Sequence, residues 1–88
     1  MELNDIIHDL KTMIIKECDK SELSIDDISD QEHIVGDETT IALDSMDILQ
    51  LSVAIKNKYG IRIQRNAESR AAFENLSSLA QFIQRNQQ

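Results

Sequence analysis

Turn-forming residues are almost absent from this chain, and their absence constrains the fold more than any other feature. The 88 residues include no proline and only two glycines, Gly36 and Gly60. A β-sandwich or β-barrel needs many tight turns, which glycine and proline commonly form. Only three residues are aromatic, so aliphatic side chains must build the core. The sequence therefore predicts an all-α fold, with residues 1–88 forming one small domain.

Apolar residues recur at helical spacing in three separate stretches. The pattern predicts long helices at about residues 3–17, 45–59 and 76–86. Gly60 stands where the C-terminal cap of the second helix is expected. A fourth, short helix is predicted at about 67–73. These elements indicate a four-helix bundle with three main helices and one short helix.

Polar side chains at characteristic positions predict where the shorter elements begin. Asn66 can cap the short helix, and Asn75, with Ser78 three residues later, can cap the last one. Ser24 and Asp27 have the spacing of a capping box around a single helical turn.

A long acidic loop is predicted between the first two helices, at residues 18–43. It has no sustained periodicity, and a connection of this length in a small domain is usually functional or anchored. We expect its scattered apolar residues to anchor it over the core. These residues are Leu23, Ile25, Ile28, Ile34, Val35, Ile41 and Leu43.

The charge of the chain is strongly negative and unevenly distributed. Residues 1–47 contain fourteen acids and three bases, whereas residues 48–88 contain two acids and six bases. The net charge of -7 disfavours nucleic acid and anionic membranes as partners, and favours basic surfaces of other proteins. A single Cys18 cannot form an internal disulfide, and charged residues interrupt any apolar leader, so we expect a cytoplasmic protein.

One short motif, Asp44-Ser45-Met46-Asp47, lies where the acidic loop meets the second helix. Taken alone, it is a helix start in which Asp44 is the N-cap and Asp47 its reciprocal acid. A second interpretation concerns Ser45, whose hydroxyl would be exposed in the first turn. Free backbone N–H groups and the helix dipole favour a phosphate ester at that position.

The residues on both sides of this motif resemble those of a known family, the acyl carrier proteins. The motif looks like the Asp-Ser-Leu attachment motif of the small discrete carriers that serve dissociated fatty-acid and polyketide-type synthases. It is followed by a helix, 48–55, and an exit, Lys58-Tyr59-Gly60-Ile61-Arg62-Ile63, that look like theirs. Residues 23–28 and 34–37 look like the carriers' long first loop, and residues 73–79 like the start of their last helix.

The resemblance implies a fold, a prosthetic group and a set of partners. Carriers of this family are four-helix bundles without catalytic residues, and so not enzymes. By the resemblance, Ser45 would carry 4′-phosphopantetheine through a phosphodiester, and the thiol of that group would hold acyl intermediates as thioesters. A phosphopantetheinyl transferase would add the group from coenzyme A, with Asp44 helping to hold its Mg²⁺. Acyl-loading and synthase enzymes of fatty-acid, polyketide or related biosynthesis would be the other partners of a monomeric carrier.

The second helix is too apolar to be buried on every side of so small a bundle, so one face is expected to contact partners. The candidate partner-binding residues are Met46, Asp47, Gln50 and Val53. This helix departs from the family pattern, because Met46 replaces the usual leucine and no acid follows Asp47. Ala42 also stands where many carriers have glycine. These departures point to a specialised carrier.

Other functions fit the sequence less well or stay open as alternatives. A peptidyl or aminoacyl carrier would use the same attachment serine, and a small acidic helical adaptor would need no modification of Ser45. A serine hydrolase is disfavoured because no Gly-x-Ser-x-Gly motif surrounds Ser45. The clustered acids of the loop lack the spacing of an EF-hand, so no metal site is predicted. Cys18 is expected to be a small buried side chain rather than a nucleophile.

Overall fold

A computed structural model describes residues 2–18, 20–34, 43–64 and 66–87. In these ranges the chain forms four α-helices and no β-strand, which confirms the predicted small helical bundle. The helices are α1 (Leu3–Glu17), α2 (Ser45–Tyr59), α3 (Ala67–Ala72) and α4 (Leu76–Asn86), with a 3-10 turn at Ile25–Asp27. The three long helices have the predicted bounds. The short one ends at Ala72, one residue early, because Phe73 has left helical geometry and acts as its C-cap.

Helix α1 lies at the centre of the bundle and contacts both α2 and α4, while α3 packs on α4. Its apolar residues recur every three or four positions, and they turn one continuous face into the core. Ten aliphatic side chains from four parts of the chain are fully buried: Ile6, Leu10, Ile14, Ile28, Ile34, Leu51, Ile55, Leu76, Leu79 and Ile83. Each stabilises the fold by about 1.5–3 kcal/mol relative to an exposed position.

Four of the five predicted anchors in the described part of the acidic loop contact the core. The fifth, Ile25, is only partly buried and is not among the residues that pack against the core, so that prediction was wrong. Ile28, Ile34 and Leu43 are buried, and Leu23 packs against the core. Ser24 donates backbone and hydroxyl hydrogen bonds to Asp27, which confirms the predicted cap of the single turn. The anchors Val35 and Ile41, and the family-like positions Gly36, Asp37 and Ala42, lie outside the described residues.

Backbone hydrogen bonds tie the end of this loop segment to the start of α4. The Leu76 N–H donates to the Glu32 carbonyl at 3.1 Å, and the Ile34 N–H donates to the Glu74 carbonyl at 3.4 Å. The loop therefore crosses from α1 to α4 before it returns to α2 at Leu43.

Lys11, in α1, also holds this part of the loop, through an ion pair with Asp30. Its Nζ lies 2.6 Å from Oδ1 of Asp30, and its own side chain is only 11% exposed. The aliphatic part of such a side chain can pack against the core while its ammonium group stays at the edge. Periodicity alone places Lys11 on a polar face, so its burial was missed.

The predicted caps are present where the structure describes them. Gly60 ends α2 in the left-handed conformation, with φ of 71°, which glycine adopts without strain. The side chain of Asn66 accepts a hydrogen bond from the Ser69 N–H, and that of Asn75 from the Ser78 N–H.

Candidate functional site

The motif residues form the first turn of α2, with Ser45 as its first residue. Asp44 is the N-cap, and its Oδ1 accepts a hydrogen bond from the Asp47 N–H at 3.0 Å. In return, Asp47 Oδ2 accepts a hydrogen bond from the Asp44 N–H at 3.3 Å. The two aspartates therefore satisfy each other's backbone groups, as the capping interpretation predicts.

Ser45 takes no part in this capping box. Its side chain is exposed, and its hydroxyl forms no hydrogen bond with any described residue. The neighbouring Asp44 is also exposed, and its Oδ2 has no partner among the described residues. A hydroxyl in this position is open to a modifying enzyme without any change in the helix start.

Two contacts hold this turn in place against the bundle. Leu43, just before the N-cap, is buried, and its N–H donates to the Ile34 carbonyl at 3.0 Å. The second contact is made to the turn itself, because Sγ of Cys18, at the end of α1, lies 3.5 Å from the Asp47 carbonyl oxygen. Cys18, at the end of α1, and Leu43, just before the N-cap, therefore both hold the turn that carries Ser45.

Cys18 is buried, as predicted, and its surroundings suppress its reactivity. Burial, followed by the negative charge of Asp47, raises the pKa of the thiol to about 11. Glu17 and Asp44 act in the same direction, whereas Lys20 opposes them. The thiolate is the nucleophilic form, so this cysteine is inert near neutral pH.

The outward face of α2 carries three exposed apolar side chains. Met46 is 64% exposed, Leu49 58% and Val53 52%. We call these three residues the apolar strip. Leu51 and Ile55, on the opposite side of the helix, are fully buried. Large apolar side chains exposed together on one face are typical of an interaction site.

The apolar strip borders a shallow groove of about 260 Å³. The groove brings together three of the four predicted partner-binding residues, Met46, Gln50 and Val53. Asp47 does not line it, because its side chain turns back, half-buried, into the capping box. Leu49 and Glu17 line the groove and were missed. The spacing of Leu49 from Met46 and Val53 could have identified it, whereas nothing local indicates Glu17, which comes from α1.

A polar cluster fixes the other end of α2. Tyr59 Oη donates to Asp9 Oδ2 at 2.7 Å, and Lys58 Nζ lies 2.8 Å from the same oxygen. Burial raises the pKa of Asp9, but the hydrogen bonds from Lys58 and Tyr59 outweigh it and leave the pKa below its ordinary value of 3.8. Burial, and then the hydrogen bond to Asp9, raise the pKa of Tyr59. Both ends of α2 are thus held to α1.

Comparison with known proteins adds no relative to this description. No family model matches the chain, and neither the curated proteins nor the solved structures searched contain a match. None of the helices described here is long and apolar enough to cross a membrane. The described residues also include no group of three or more His, Cys, Asp or Glu side chains that could hold a metal ion.

Proposed function

We propose that this protein is an acyl carrier whose attachment residue is Ser45. The observation that carries the proposal is the separation of roles in the first turn of α2. Asp44 and Asp47 complete the capping of the helix, while the Ser45 hydroxyl is exposed and has no described partner. Ser45 is the first residue of the helix and Asp44 is its N-cap, so the Ser45 hydroxyl is not needed to start the helix and is available for modification.

The surroundings of Ser45 suit a 4′-phosphopantetheine group held through a phosphodiester. The Ser45 oxygen would hold the phosphate at the N-terminus of α2, where the helix dipole favours negative charge. When bound, the group supplies a thiol on a flexible arm, and that thiol holds acyl groups as thioesters. The chain's own contribution is to present the hydroxyl on a rigid turn and to keep it accessible. Its inert Cys18 would not compete with the arm for acyl groups.

The residues nearest Ser45 would each have a role in this function. Asp44, whose Oδ2 is open, would help hold the Mg²⁺ of a phosphopantetheinyl transferase. Met46, Gln50 and Val53, with Asp47 at the edge, would contact the transferase and the acyl-loading and synthase enzymes. The exposed Met46 continues directly from Ser45, so an enzyme that reaches the hydroxyl also meets the apolar strip.

The proposed carrier is a monomeric cytoplasmic protein of fatty-acid, polyketide or related biosynthesis, and not itself an enzyme. A peptidyl or aminoacyl carrier would use Ser45 in the same way and differ in its cargo. One observation favours the unmodified acidic adaptor instead. The reciprocal hydrogen bonds of Asp44 and Asp47 account for both aspartates without any modification of the serine between them.

Intact-mass measurement separates the carrier from the adaptor. The protein is incubated with coenzyme A, Mg²⁺ and a broad-specificity phosphopantetheinyl transferase. We expect the native chain to gain one phosphopantetheinyl group, and Ser45→Ala to gain none. Ser52→Ala is the matched control, because Ser52 lies in the same helix but bonds the Ile48 carbonyl at 2.9 Å. A native chain that gains no mass would leave the adaptor as the better account.

A further inference from the structure

The apolar strip on α2 lies between two regions of opposite charge. At the Ser45 end, Glu17 lines the groove, and Asp44 and Asp47 occupy the cap. Glu17 directly precedes Cys18, whose Sγ lies 3.5 Å from the Asp47 carbonyl oxygen, so Glu17 lies near the two capping aspartates. Lys20 is a nearby cation, and it lowers the pKa of the Cys18 thiol where the three acids raise it. This end of the strip is therefore acidic.

The other end of the strip is basic. Lys56 follows Leu49 by seven residues, so it lies on the same face of the helix, about 14 Å along the axis from Asp47. It is exposed and forms no ion pair with any described residue. Lys58 differs, because Asp9 already neutralises it. Gln50, which lines the groove between the two ends, carries no charge, and neither does Asn57, the groove residue next to Lys56.

We propose that the strip receives a protein partner whose face is bipolar, with basic side chains beside Ser45, apolar ones over Met46, Leu49 and Val53, and an acidic one against Lys56. The inference rests on the proposed function only in taking this face of α2 as the docking surface. A partner that is basic along its whole length would place a cation against Lys56, and such like-charge contacts disfavour wrong partners.

The size of the strip indicates a transient partner rather than a second copy of the chain. Stable interfaces bury about 800 Å² on each side, far more than three half-exposed side chains can provide. A small patch with complementary charge at both ends instead favours rapid, reversible association, in which charge determines the orientation.

Two synthetic helical peptides test the proposal on the full-length protein. Both carry the same leucines at positions i, i+3, i+4 and i+7. The bipolar peptide has arginines in one terminal turn and glutamates in the other, whereas the basic peptide has arginines in both. To keep the two net charges equal, the basic peptide also carries glutamates on the face opposite its leucines, because the net charge of -7 on the protein would otherwise favour it. Binding is measured by amide chemical-shift titration, which also shows where each peptide lies. We expect shifts centred on Met46, Leu49 and Val53, and about three- to tenfold tighter binding of the bipolar peptide.

Charge reversal at Lys56 gives the decisive comparison. Lys56→Glu should reverse the order of the two peptides. Arg85→Glu is the matched control, because it changes the net charge equally but lies in the last turn of α4, and it should leave the order unchanged. Any one of four results would overturn the proposal. These are equal affinities of the two peptides for the native chain, the same effect from both variants, chemical shifts centred outside the strip, and no binding of either peptide. Concentration-dependent dimerisation through this face in sedimentation would also overturn it.

This experiment does not depend on the modification of Ser45. The peptides bind or fail to bind whether or not the arm is present, and arm transfer is measured separately by mass. A chain that takes up the arm but does not prefer the bipolar peptide would retain the carrier function and lose only this inference.

Discussion

Tyr59 and Asp9, fifty residues apart in the sequence, are joined by a 2.7 Å hydrogen bond from the phenol to the carboxylate. Lys58 contacts the same carboxylate at 2.8 Å. This cluster holds the C-terminal end of α2 to α1, and so it fixes the helix that presents Ser45 and the apolar strip.

Removing the Tyr59 hydroxyl should weaken the bundle without unfolding it. Tyr59→Phe keeps the ring but loses a hydrogen bond to a charged group, and we expect the free energy of unfolding to fall by about 1–2 kcal/mol in urea titrations. The pKa of Asp9 should rise in the variant, because one of the bonds that stabilise its charged form is gone. An unchanged Asp9 titration by NMR would mean that the phenol does not act on this carboxylate.

Asp9 should also contribute to acid unfolding. Its pKa is lower in the folded chain than its ordinary value of 3.8, so its ionised form stabilises the fold above that pH. This contribution should be lost as the pH falls below about 4 and through the folded-state pKa. Asp9→Asn should flatten the dependence of unfolding free energy on pH in that window. Asp26→Asn, at an exposed acid of the loop, is the control for the removal of one negative charge.

Lys11 and Asp30 should respond unequally to mutation. Asp30→Ala leaves a mostly buried ammonium group without its carboxylate, and we expect a loss of about 1 kcal/mol, limited by the exposure of Asp30. Lys11→Met removes the charge but keeps the packed aliphatic chain, so it should cost less. Hydrogen exchange should show faster opening of residues 20–34 in Asp30→Ala. The opposite order of stabilities would show that the ion pair does not anchor the loop.

Mutations on the two faces of α2 should affect different properties, stability on the buried face and recognition on the exposed face. Val53→Glu changes a half-exposed side chain, so it should slow transfer of the arm more than it lowers the melting temperature. Leu51→Ala, on the buried face, should destabilise the fold by about 2–5 kcal/mol. If Val53→Glu collapses the melting temperature while transfer by the folded fraction is unaffected, the exposed face has been assigned wrongly.

Local signals predicted the helices well, because their ends depend on nearby residues. The Asp44 cap and the left-handed Gly60 bound α2 by themselves, and Asn66 and Asn75 do the same for the starts of the last two helices. The end of α3 was predicted one residue late, since no glycine marks it and the backbone of Phe73, at φ -81° and ψ 10°, departs only slightly from helical geometry.

Contacts between distant parts of the chain could not be predicted in the same way. Lys11 is buried only because Asp30 reaches it from the loop, and Asp9 meets Tyr59 only after α1 and α2 have packed. The apolar composition of α2 indicated that one face is exposed, but not which residues form that face. Leu49 was therefore missed as a member of the apolar strip, and Asp47 does not line the groove beside it, because its carboxylate is held in the cap.

The central claim is that Ser45 is the attachment residue, and mapping of the modified site tests it most directly. After incubation with coenzyme A, Mg²⁺ and transferase, the native protein is cleaved on the amino side of its aspartates. This cleavage releases Asp44-Ser45-Met46, in which Ser45 has the only hydroxyl. We predict that this fragment carries one phosphopantetheinyl group in the mass spectrum. An unmodified fragment, with the added mass on another part of the chain or absent altogether, would contradict the account.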